Sequence, residues 1–477
     1  MTNKIRIHPL YIFISIKKFL FLLIIPLLRG LIYYIINSDI YSWVKGSWID
    51  ISVFLIIIFL AIVRWYNYNI YTDSDKLIIS SGIFVNKTYI INKKDIAYIS
   101  VNIPFYYRPI NAIKIDILTF GNNITSSKNK IILTKNNFIK LKQNYINYII
   151  PNKKSIKHIS LLTTLYTALF SLVMSDSLAG IILVSTFVST SSKILGYKLE
   201  EDLYGKFTDL TKKLAFGFPP AGAAIAYILI IGWTIAFVKN LILYINFSFK
   251  RVDNNLITSS GIFNSTTEYI SLDKIYYIDI IQNIFTKIGN LCSVFIYVVN
   301  NKHGGTVIIP TINKKELEND INKIFDKDIK TLKKMEISPP LSSLTSYISF
   351  PIILFSIIFI IYKQLINNYH GWSDFLKFIL FMSGIIFFWL LIVQFINFFT
   401  CGISFQNNSY IIKYARFFKF HTMIIPKDKL PKIIIKQNIF QKHSKKSDIY
   451  FYSFGNSLNC HKLKNIAISN LKLLLNN

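Results

Sequence analysis

Cysteine and acidic residues are both scarce in this chain, and each shortage narrows the class of protein. The 477 residues include three cysteines without CxxC spacing, so the sequence predicts neither a disulfide framework nor a zinc site. Asp and Glu number 24 against 54 Lys and Arg, a formal net charge of +30. Such an excess suggests anionic partners. The cysteines are Cys292, Cys401 and Cys460.

Catalytic and metal-binding motifs are also missing. The chain contains no Walker lysine loop, no GxGxxG and no GxSxG, the signatures of nucleotide-binding enzymes and serine hydrolases. Its histidines form no HExxH or HxH pair that could hold a metal, and His303 in KHGG is predicted to lie in a hairpin turn. We therefore predict that the protein is not an enzyme and has no cofactor or metal. The seven histidines are His8, His158, His303, His370, His421, His443 and His461.

Apolar runs, by contrast, are abundant. Hydrophobic residues make up 52% of the chain, and the mean hydropathy is +0.42. Several stretches approach the roughly 20 residues that a helix needs to cross a bilayer. No small-residue cleavage site follows the first of them, so we expect a membrane helix there and not a signal peptide. The spans predicted near the two ends are Phe19–Ile36, Ile49–Val63, Leu341–Tyr362 and Phe378–Thr400.

These helices are predicted to form pairs whose orientation is set by charge. The segment ahead of the first helix carries Lys and Arg but no acid, whereas the first link has only Lys45 against Asp39 and Asp50. The positive-inside rule then places the N-terminus in the cytoplasm. The large polar segments follow it there if each helix group crosses an even number of times. Both links contain tryptophans suited to the membrane interface, namely Trp43, Trp48 and Trp372.

Whether the number of membrane crossings is even depends on the middle of the chain. Ile159–Met174 and Leu178–Ser191 are apolar but short, and Ala221–Phe247 is long enough for a full span. We predict two crossings, with Leu178–Ser191 re-entrant or at the interface. Residues 197–215 place leucines and a phenylalanine at helical spacing, which predicts an amphipathic surface helix.

Charge within the predicted spans is rare. Arg29 lies in the first span beside Pro26 and Gly30, and Asp176 lies between two short apolar runs. Intramembrane charge often marks a functional site, but Arg29 can also extend to the interface or pair with a neighbouring helix. A transporter or proton-driven pump would normally contain more buried carboxylates than this sequence offers.

A twenty-residue stretch occurs three times in related form. It is LIISSGIFVNKTYIINKKDI from Leu77, LITSSGIFNSTTEYISLDKI from Leu256 and IIKYARFFKFHTMIIPKDKL from Ile411, aligned without a gap. At one common distance downstream the second copy has QNIFTK, the third has QNIFQK and the first has IPFYYR. This agreement predicts one structural unit in three copies. Equivalent positions would be held by Ser80, Ser259 and Tyr414.

Each unit is predicted to begin with a β-hairpin. Leu77–Ser80 and Tyr89–Asn92 flank a connection containing Gly82, where glycine would supply a backbone angle that other residues avoid. Arg416 replaces this glycine in the third copy, so we expect a different turn there. Further strands and a closing helix would complete a strongly bent sheet of about seven strands. These predicted strands are Ile113–Leu118, Lys130–Leu133, Val294–Val299 and Thr306–Ile309, and the helices are Lys314–Phe325 and Asn465–Leu475.

The motifs resemble those of bacterial pleckstrin-homology-like (PH-like) membrane proteins. Met423–Leu430, MIIPKDKL, is similar to the IPxxRIQxV element of that family, and Phe285–Val298, FTKIGNLCSVFIYV, is similar to its Gln, basic and GLA element. Ile5–Phe13, IRIHPLYIF, resembles the entry into its first helix pair. The family's Arg in RIQ is replaced in all three copies, by Asp95, Lys274 and Lys429.

The resemblance covers nearly the whole chain and implies its architecture. It implies a mixed membrane protein in which transmembrane helix pairs alternate with three small PH-like β-barrel domains, each capped by a helix. It brings no catalytic residues. The predicted regions are 1–66, first helix pair; 67–155, PH-like domain 1; 156–248, second membrane group; 249–332, PH-like domain 2; 333–402, third helix pair; and 403–477, PH-like domain 3.

Basic charge is unevenly distributed among these regions. Residues 71–158 hold 14 Lys and Arg against 4 acids, residues 403–477 hold 13 against 2, and residues 249–332 hold 10 against 9. Beside a membrane, basic surfaces favour anionic lipid headgroups. Tyr106–Pro109 and Tyr414–Phe420 mix aromatic with basic residues, as nucleic-acid sites do. A membrane anchor argues against nucleic acid, and bilayer contact or domain packing explains both segments better.

We therefore expect a non-enzymatic integral membrane protein that acts as a lipid- or protein-interaction platform with cytoplasmic domains. The resemblance implies a bacterial plasma-membrane role in envelope stress or in resistance to membrane-active agents. It also implies association with a shorter PH-like membrane protein, and self-association is the other possibility. The alternative is a transporter or lipid-moving protein with a path between the helix pairs; a membrane enzyme has the least support.

Overall fold

Short runs rich in β-branched residues form strands, and the long apolar runs form helices. The structure is a computed structural model that describes residues 3–19, 40–73, 75–83, 85–119, 130–143, 156–161, 164–175, 205–206, 209, 220–298, 305–325, 335–455 and 458–470. The described strands are β1 Asn3–Arg6, β2 Asn69–Thr72, β3 Lys76–Ser81, β4 Lys87–Asn92, β5 Ile96–Ile103, β6 Ala112–Thr119, β7 Lys130–Thr134, β8 Ile156–Leu161, β9 Ser248–Val252, β10 Asn255–Ser260, β11 Ser265–Ser271, β12 Ile275–Gln282, β13 Leu291–Val298, β14 Thr306–Asn313, β15 Gly402–Gln406, β16 Ser409–Arg416, β17 Lys419–Pro426, β18 Lys432–Lys436, β19 Lys446–Phe454 and β20 Leu458–Ala467. The described α-helices are α1 Leu10–Phe19, α2 Ile40–Tyr66, α3 Lys135–Leu141, α4 Thr164–Met174, α5 Pro220–Tyr244, α6 Ile284–Ile288, α7 Lys314–Phe325, α8 Leu344–Asn368, α9 Ser373–Thr400 and α10 Ile439–His443.

Four stretches of the described helices are long and apolar enough to cross a membrane. They agree with the predicted spans Ile49–Val63, Leu341–Tyr362 and Phe378–Thr400 and with most of Ala221–Phe247. At most 11% of each apolar window is buried within the protein, so the side chains face outward, as a lipid-facing surface requires. Beyond Phe19, the predicted first span lies outside the described residues. The four stretches are Ser47–Tyr66, Ile225–Tyr244, Leu341–Asn368 and Ser373–Thr400.

The middle membrane group differs from its prediction at its start. Ile159 belongs to strand β8, and the helix that follows, α4, has 11 residues. Ile159–Met174 is therefore no membrane span, because its first residues are extended and the remaining helix is too short to cross a bilayer. The predicted re-entrant segment Leu178–Ser191 lies outside the described residues, as does nearly all of the predicted amphipathic helix 197–215.

Contacts divide the chain into two units, residues 1–157 with 250–271 and residues 158–249 with 272–477. The first unit contains a four-stranded sheet in the order β1-β2-β3-β4 and the strand order β7-β6-β5-β11-β10. The second contains the orders β14-β13-β12-β17-β16-β15 and β18-β19-β20. The strands of each predicted bent sheet thus belong to two different sheets in the structure. The predicted domain boundaries remain predictions, since these units follow contacts and not the sequence copies.

Apolar helices are inserted between neighbouring strands of a sheet. In the first unit β1 pairs with β2, from Asn3 opposite Thr72 to Arg6 opposite Asn69, although α1 and α2 lie between them in sequence. In the second unit Ile337 and Ile403 exchange two backbone hydrogen bonds of 2.9 and 2.8 Å around α8 and α9. In both cases the chain leaves a sheet, forms apolar helices and returns beside the residues it left.

Three hairpins occupy the places of the repeated stretch, but the third has a different register. The pair Ser80–Thr88 in β3–β4 corresponds to Ser259–Thr267 in β10–β11. In β16–β17 the matching threonine, Thr422, lies opposite Lys413. The gapless alignment of Tyr414 with Ser80 and Ser259 was therefore wrong by one residue, and Lys413 holds the serine position.

A shorter turn explains the shift. Arg416 pairs with Lys419 across the two residues Phe417 and Phe418, and Phe417 has a left-handed φ of 51°. The expectation that glycine supplies an unusual angle holds at Gly261, with φ 89°. At Gly82 the requirement is steric, because a Cβ atom there would collide with the carbonyl oxygen of Val85.

The Gln and Asn residues shared by QNIFTK and QNIFQK have structural roles. The Gln282 side chain donates to the carbonyl of Leu291 at 2.7 Å, and that of Gln437 donates to the carbonyl of Lys446 at 2.6 Å. The next residue in each copy caps a short helix, since Asn283 and Asn438 accept from backbone amides within it. The motif therefore fixes a turn between two strands and implies no chemistry of its own.

The same turn occurs in the first copy, although the Gln and Asn residues are absent there. Counted from Leu77, Leu256 and Ile411, one common position has a left-handed backbone, with φ of 52° in each case. In each copy the carbonyl at this position accepts a backbone hydrogen bond of 2.8–3.0 Å. The donor is the residue directly after the final strand of that copy. The left-handed residues are Asn111, Asn290 and Lys445.

Each unit contains a junction at which two edge strands pair and enclose one acidic side chain. At β5–β11, Tyr98 donates to Glu268 at 2.7 Å, and burial raises the pKa of that carboxyl. At β12–β17, Asp279 lies 2.8 Å from Nδ1 of His421. Because a buried carboxylate needs a partner, these contacts favour one pairing of the strands.

The second junction continues into a buried polar chain. The Tyr414 hydroxyl lies 2.7 Å from Nδ1 of His461, whose Nε2 lies 2.7 Å from Ser453 Oγ. The Tyr414 ring also stacks on His421. The end of the chain differs from its prediction, because Asn465–Ala467 belong to β20 and only residues 468–470 of the proposed closing helix are helical among those described.

Acid is expected to destabilise the second unit through His461. Burial lowers the pKa of His461 to about 4; Asp279 opposes this shift, whereas His421 and Arg416 add to it. Because the unfolded chain takes up a proton near pH 6.5, stability is lost as the pH falls from about 6.5 to about 4. The loss is on the order of 3 kcal/mol.

Thermal unfolding of the full chain in detergent, followed by near-ultraviolet circular dichroism between about pH 7.5 and about pH 4.5, tests this. His461→Gln should reduce the change in unfolding temperature between the two pH values, whereas the exposed control His443→Gln should retain it. An equal change in all three proteins would contradict the role of His461.

Candidate functional site

Three lysines from different elements converge in the second unit. Lys287 lies in α6, which Asn283 caps, and Lys314 begins α7 with its backbone amide bonded to the Asn290 carbonyl at 2.8 Å. Lys413 lies on β16, opposite Thr422 on β17. The turn, the helix start and the hairpin register described above therefore bring the three side chains to one place.

The lysines line a cavity of about 270 Å³ beside the β12–β17 junction. Ile280, Leu317 and Phe420 supply apolar walls, and Thr400 and Thr422 add hydroxyl groups. Each lysine is half-buried. A positively charged cavity with hydroxyl donors and apolar walls is suited to an anion that carries an apolar portion.

The cavity adjoins the end of an apolar helix. The Lys287 ammonium lies 3.4 Å from Oγ1 of Thr400, the last residue of α9, and 3.8 Å from the centre of the Phe420 ring. The Phe285 ring packs against Trp389 of α9, with ring centres 5.2 Å apart. If α9 crosses a bilayer, its end lies at the level of the lipid headgroups.

Burial and repulsion by neighbouring lysines lower the pKa values of Lys287 and Lys413. Burial lowers the pKa of Lys287 to about 8, and the charges of Lys314 and Lys413 add to this shift. Burial also lowers the pKa of Lys413 to about 8, with Lys314 adding to the shift and Glu318 opposing it. An anion in the cavity would relieve this repulsion, because it favours the charged form of every amine.

The cysteines near the cavity are unsuited to nucleophilic chemistry. Burial raises the pKa of Cys292 to about 12 and that of Cys401 to about 11, so neither thiol ionises readily at neutral pH. Cys460 is exposed. Among the described residues, no cluster of histidine, cysteine and carboxylate side chains could hold a metal ion.

Some of the residues singled out from the sequence line this cavity, namely Cys292, Cys401, Tyr414, Phe420 and His421. Arg29, Asp176 and His303 lie outside the described residues. In the two aromatic and basic segments, Arg108 donates to the carbonyl of Ile262, and Tyr414 belongs to the buried polar chain.

Sequence reasoning missed the three lysines because they are distant in sequence and resemble many others. One signal was available, since Lys287 is the last letter of QNIFTK. The corresponding residues in the other copies are Arg108 and Lys442.

Comparison with protein families agrees with the fold. The family described as bacterial PH domain matches residues 11–148 and 178–326, together more than half of the chain. The chain therefore belongs to the bacterial PH domain family. Its PH-like domains and the four apolar helices found in the described part of the chain fit a membrane protein. Comparisons with curated proteins and with solved structures found no match.

The lowered amine pKa values predict selective labelling. At about pH 8 a larger share of each amine is neutral and nucleophilic, so an acylating reagent should label Lys287 and Lys413 ahead of the exposed Lys419. Lys314→Gln should slow the labelling of both, because removing its charge raises their pKa values. Peptide mass spectrometry over a time course measures the rates. Unchanged rates in the variant would show that the Lys314 charge does not lower the pKa values of Lys287 and Lys413.

Proposed function

We propose that the protein is a non-enzymatic, multi-pass protein of the bacterial plasma membrane. In this proposal three PH-like domains lie on the cytoplasmic side and form an interaction platform for the phosphate-bearing headgroups of anionic lipids. The observation that carries it is the three-lysine cavity at the end of α9. The family resemblance suggests that this binding serves the response to envelope stress or to membrane-active agents.

The inserted helices support a common side for the domains. A chain that leaves a sheet and returns to the neighbouring strand must cross any intervening membrane an even number of times. The Ile337–Ile403 bridge imposes this on α8 and α9. The start of α8 is also tied to the last domain, since Tyr347 donates to the Lys464 carbonyl at 2.9 Å.

The recurring turn and hairpin support three copies of one unit. The left-handed residues Asn111, Asn290 and Lys445 stand at one common position, and each follows a hairpin at the same distance. The third copy begins beyond the last residue matched by the family, 326, so its inclusion rests on this geometry.

A platform is better supported than a transporter by the described helices. The groove between α8 and α9 is lined mainly by apolar side chains, including Phe355, Leu380 and Phe388, and its Lys377 pairs with Asp374 at 3.3 Å near the start of α9. A transport path would need polar groups along its length. The thiols at the cavity are poor nucleophiles, because burial raises the pKa values of Cys292 and Cys401.

Short-chain phosphatidylglycerol is expected to stabilise the full chain in neutral detergent, because a ligand that binds the folded state raises its unfolding temperature. Phosphatidylcholine of the same chain length, whose headgroup is neutral overall, should give a much smaller rise. Inorganic phosphate should also give a smaller rise, since it lacks the acyl chains that would contact the apolar walls and α9. Differential scanning fluorimetry at fixed salt measures the shifts.

Matched variants distinguish binding in the cavity from a general effect of surface charge. Lys287→Gln with Lys413→Gln should abolish the phosphatidylglycerol shift, whereas Lys315→Gln with Lys419→Gln removes equal charge at exposed positions and should preserve it. An equal loss in both double variants would reduce the effect to surface charge and refute the site. A phosphate shift as large as the lipid shift would assign the cavity to a free phosphate compound instead.

A further inference from the structure

Two exposed apolar tips project from the second unit beside helix α9. On α6, Phe285 and Ile288 are 65% and 77% exposed. In the turn between β16 and β17, Phe417 and Phe418 are 70% and 39% exposed. Large apolar side chains that are exposed together mark a surface that meets an apolar partner.

The two tips share a buried base on the side of α9. Ile284 of α6 and Phe420 of β17 belong to one apolar cluster with Val393 of α9. Trp389 packs against this cluster, and its ring centre lies 5.2 Å from that of Phe285. The tips are therefore attached along the side of the helix and not only at its last turn.

The register of β16 gives the reach of the second tip. Gly402, just after the end of α9, lies opposite Lys413. Strand β16 packs against α9 and continues beyond Lys413 to Arg416. At about 3.3 Å per residue, Phe417 lies about 13 Å past the level of Gly402. The turn therefore returns along α9 toward the same stretch that α6 contacts.

This stretch of α9 lies inside the bilayer if the helix crosses it. The last charged residue of α9 is Lys377, and the roughly 20 residues of a span counted from Phe378 end at Asn397. Trp389 lies about 12 Å before Asn397 along the helix. Side chains of a helix incline toward its N-terminus, so the rings of Trp389 and Phe285 lie at the depth of the acyl chains.

We propose that α6 and the β16–β17 turn penetrate the headgroup layer beside α9, so that their apolar tips contact lipid acyl chains. Continuity identifies lipid as the partner, since α9 exposes Phe388, Phe395 and Phe399 over the same stretch. The inference goes beyond headgroup binding in the cavity. It rests on the proposed crossing of the membrane by α9, and it places the three-lysine cavity, which Thr400 lines, at headgroup depth.

The charges around the tips fit a bilayer whose headgroups are anionic. Arg416 and Lys419 are exposed and flank the two aromatic residues of the turn. Long basic side chains can extend to headgroup phosphates while neighbouring apolar groups remain in the acyl layer. Neither α6 nor the segment of residues 413–421 contains an acidic residue, so no carboxylate opposes the insertion.

Depth-dependent fluorescence quenching measures the insertion in the full chain. In a Cys460→Ser background, Phe417→Cys or Ile288→Cys is labelled with a small dye, and the protein is placed in nanodiscs that contain phosphatidylglycerol. A spin label on the upper acyl chain of added phosphatidylcholine should quench both dyes several-fold more than a dye on Asp428→Cys. Asp428 is an exposed control beyond the opposite end of β17, and aqueous iodide should quench its dye most.

Each result decides for or against the insertion. Equal quenching of all three dyes by the acyl-chain spin label would overturn the proposal. Dyes on the Phe417→Cys and Ile288→Cys proteins that are shielded from iodide but are not quenched by the spin label would assign the tips to a protein contact. That outcome would equally refute insertion into lipid.

A charge placed at the tip provides an independent readout. In the Phe417→Cys protein, Phe418→Asp should reduce the acyl-chain quenching several-fold, because a carboxylate resists transfer into hydrocarbon. Lys432→Gln, at an exposed position of β18, changes the net charge equally and should leave the quenching unchanged. Equal reductions would attribute the effect to net charge and contradict the insertion.

The two proposals can fail separately. The quenching depends on the exposed tips, whereas the thermal shift caused by phosphatidylglycerol depends on the lysines of the cavity. Quenching without a thermal shift would retain the insertion and refute the headgroup site. A thermal shift without quenching would do the reverse.

Discussion

The return of the chain to a neighbouring strand is the constraint on which the rest of this structure depends. Hydrogen bonds between Ile337 and Ile403, and the pairing of β1 with β2, fix both ends of an inserted apolar segment to one sheet. At these two places the apolar helices are therefore joined to strands that pair with each other, β1 with β2 and Ile337 with Ile403 of β15. The orientation of a domain to its helices is limited accordingly, which brings the cavity against the last turn of α9.

The pairing of β5 with β11 and of β12 with β17 adds a second level of order. Each junction buries a carboxylate together with a partner from the other strand, Tyr98 for Glu268 and His421 for Asp279. Such contacts add little net stability, because removing a charged or polar group from water offsets much of the hydrogen-bond energy. Their effect is selective, since a strand displaced by one residue would leave a buried carboxylate without its partner.

Composition and periodicity predicted the apolar helices, the hairpins and helix α7, because a long apolar run and a regular pattern are local signals. They did not predict β1 or the bridging residue Ile337, since a strand of a few residues ahead of an apolar helix has no period of its own. The candidate site was equally inaccessible to them. Lys287, Lys314 and Lys413 are three among 54 basic residues. They converge because particular strands pair, and no local sequence pattern specifies that pairing.

The two-residue turn at Phe417 and Phe418 has a consequence for which side chains the three hairpins present. Sliding one strand by a single residue exchanges the faces of all its side chains, which puts Lys413 where the other hairpins have Ser80 and Ser259. The equivalent positions at the first junction hold Arg108, Lys135 and Ser259, with two cations in place of three. Loss or gain of one codon in a loop can thus change which side chain of a hairpin lines a cavity, while every lysine in the gene remains unchanged.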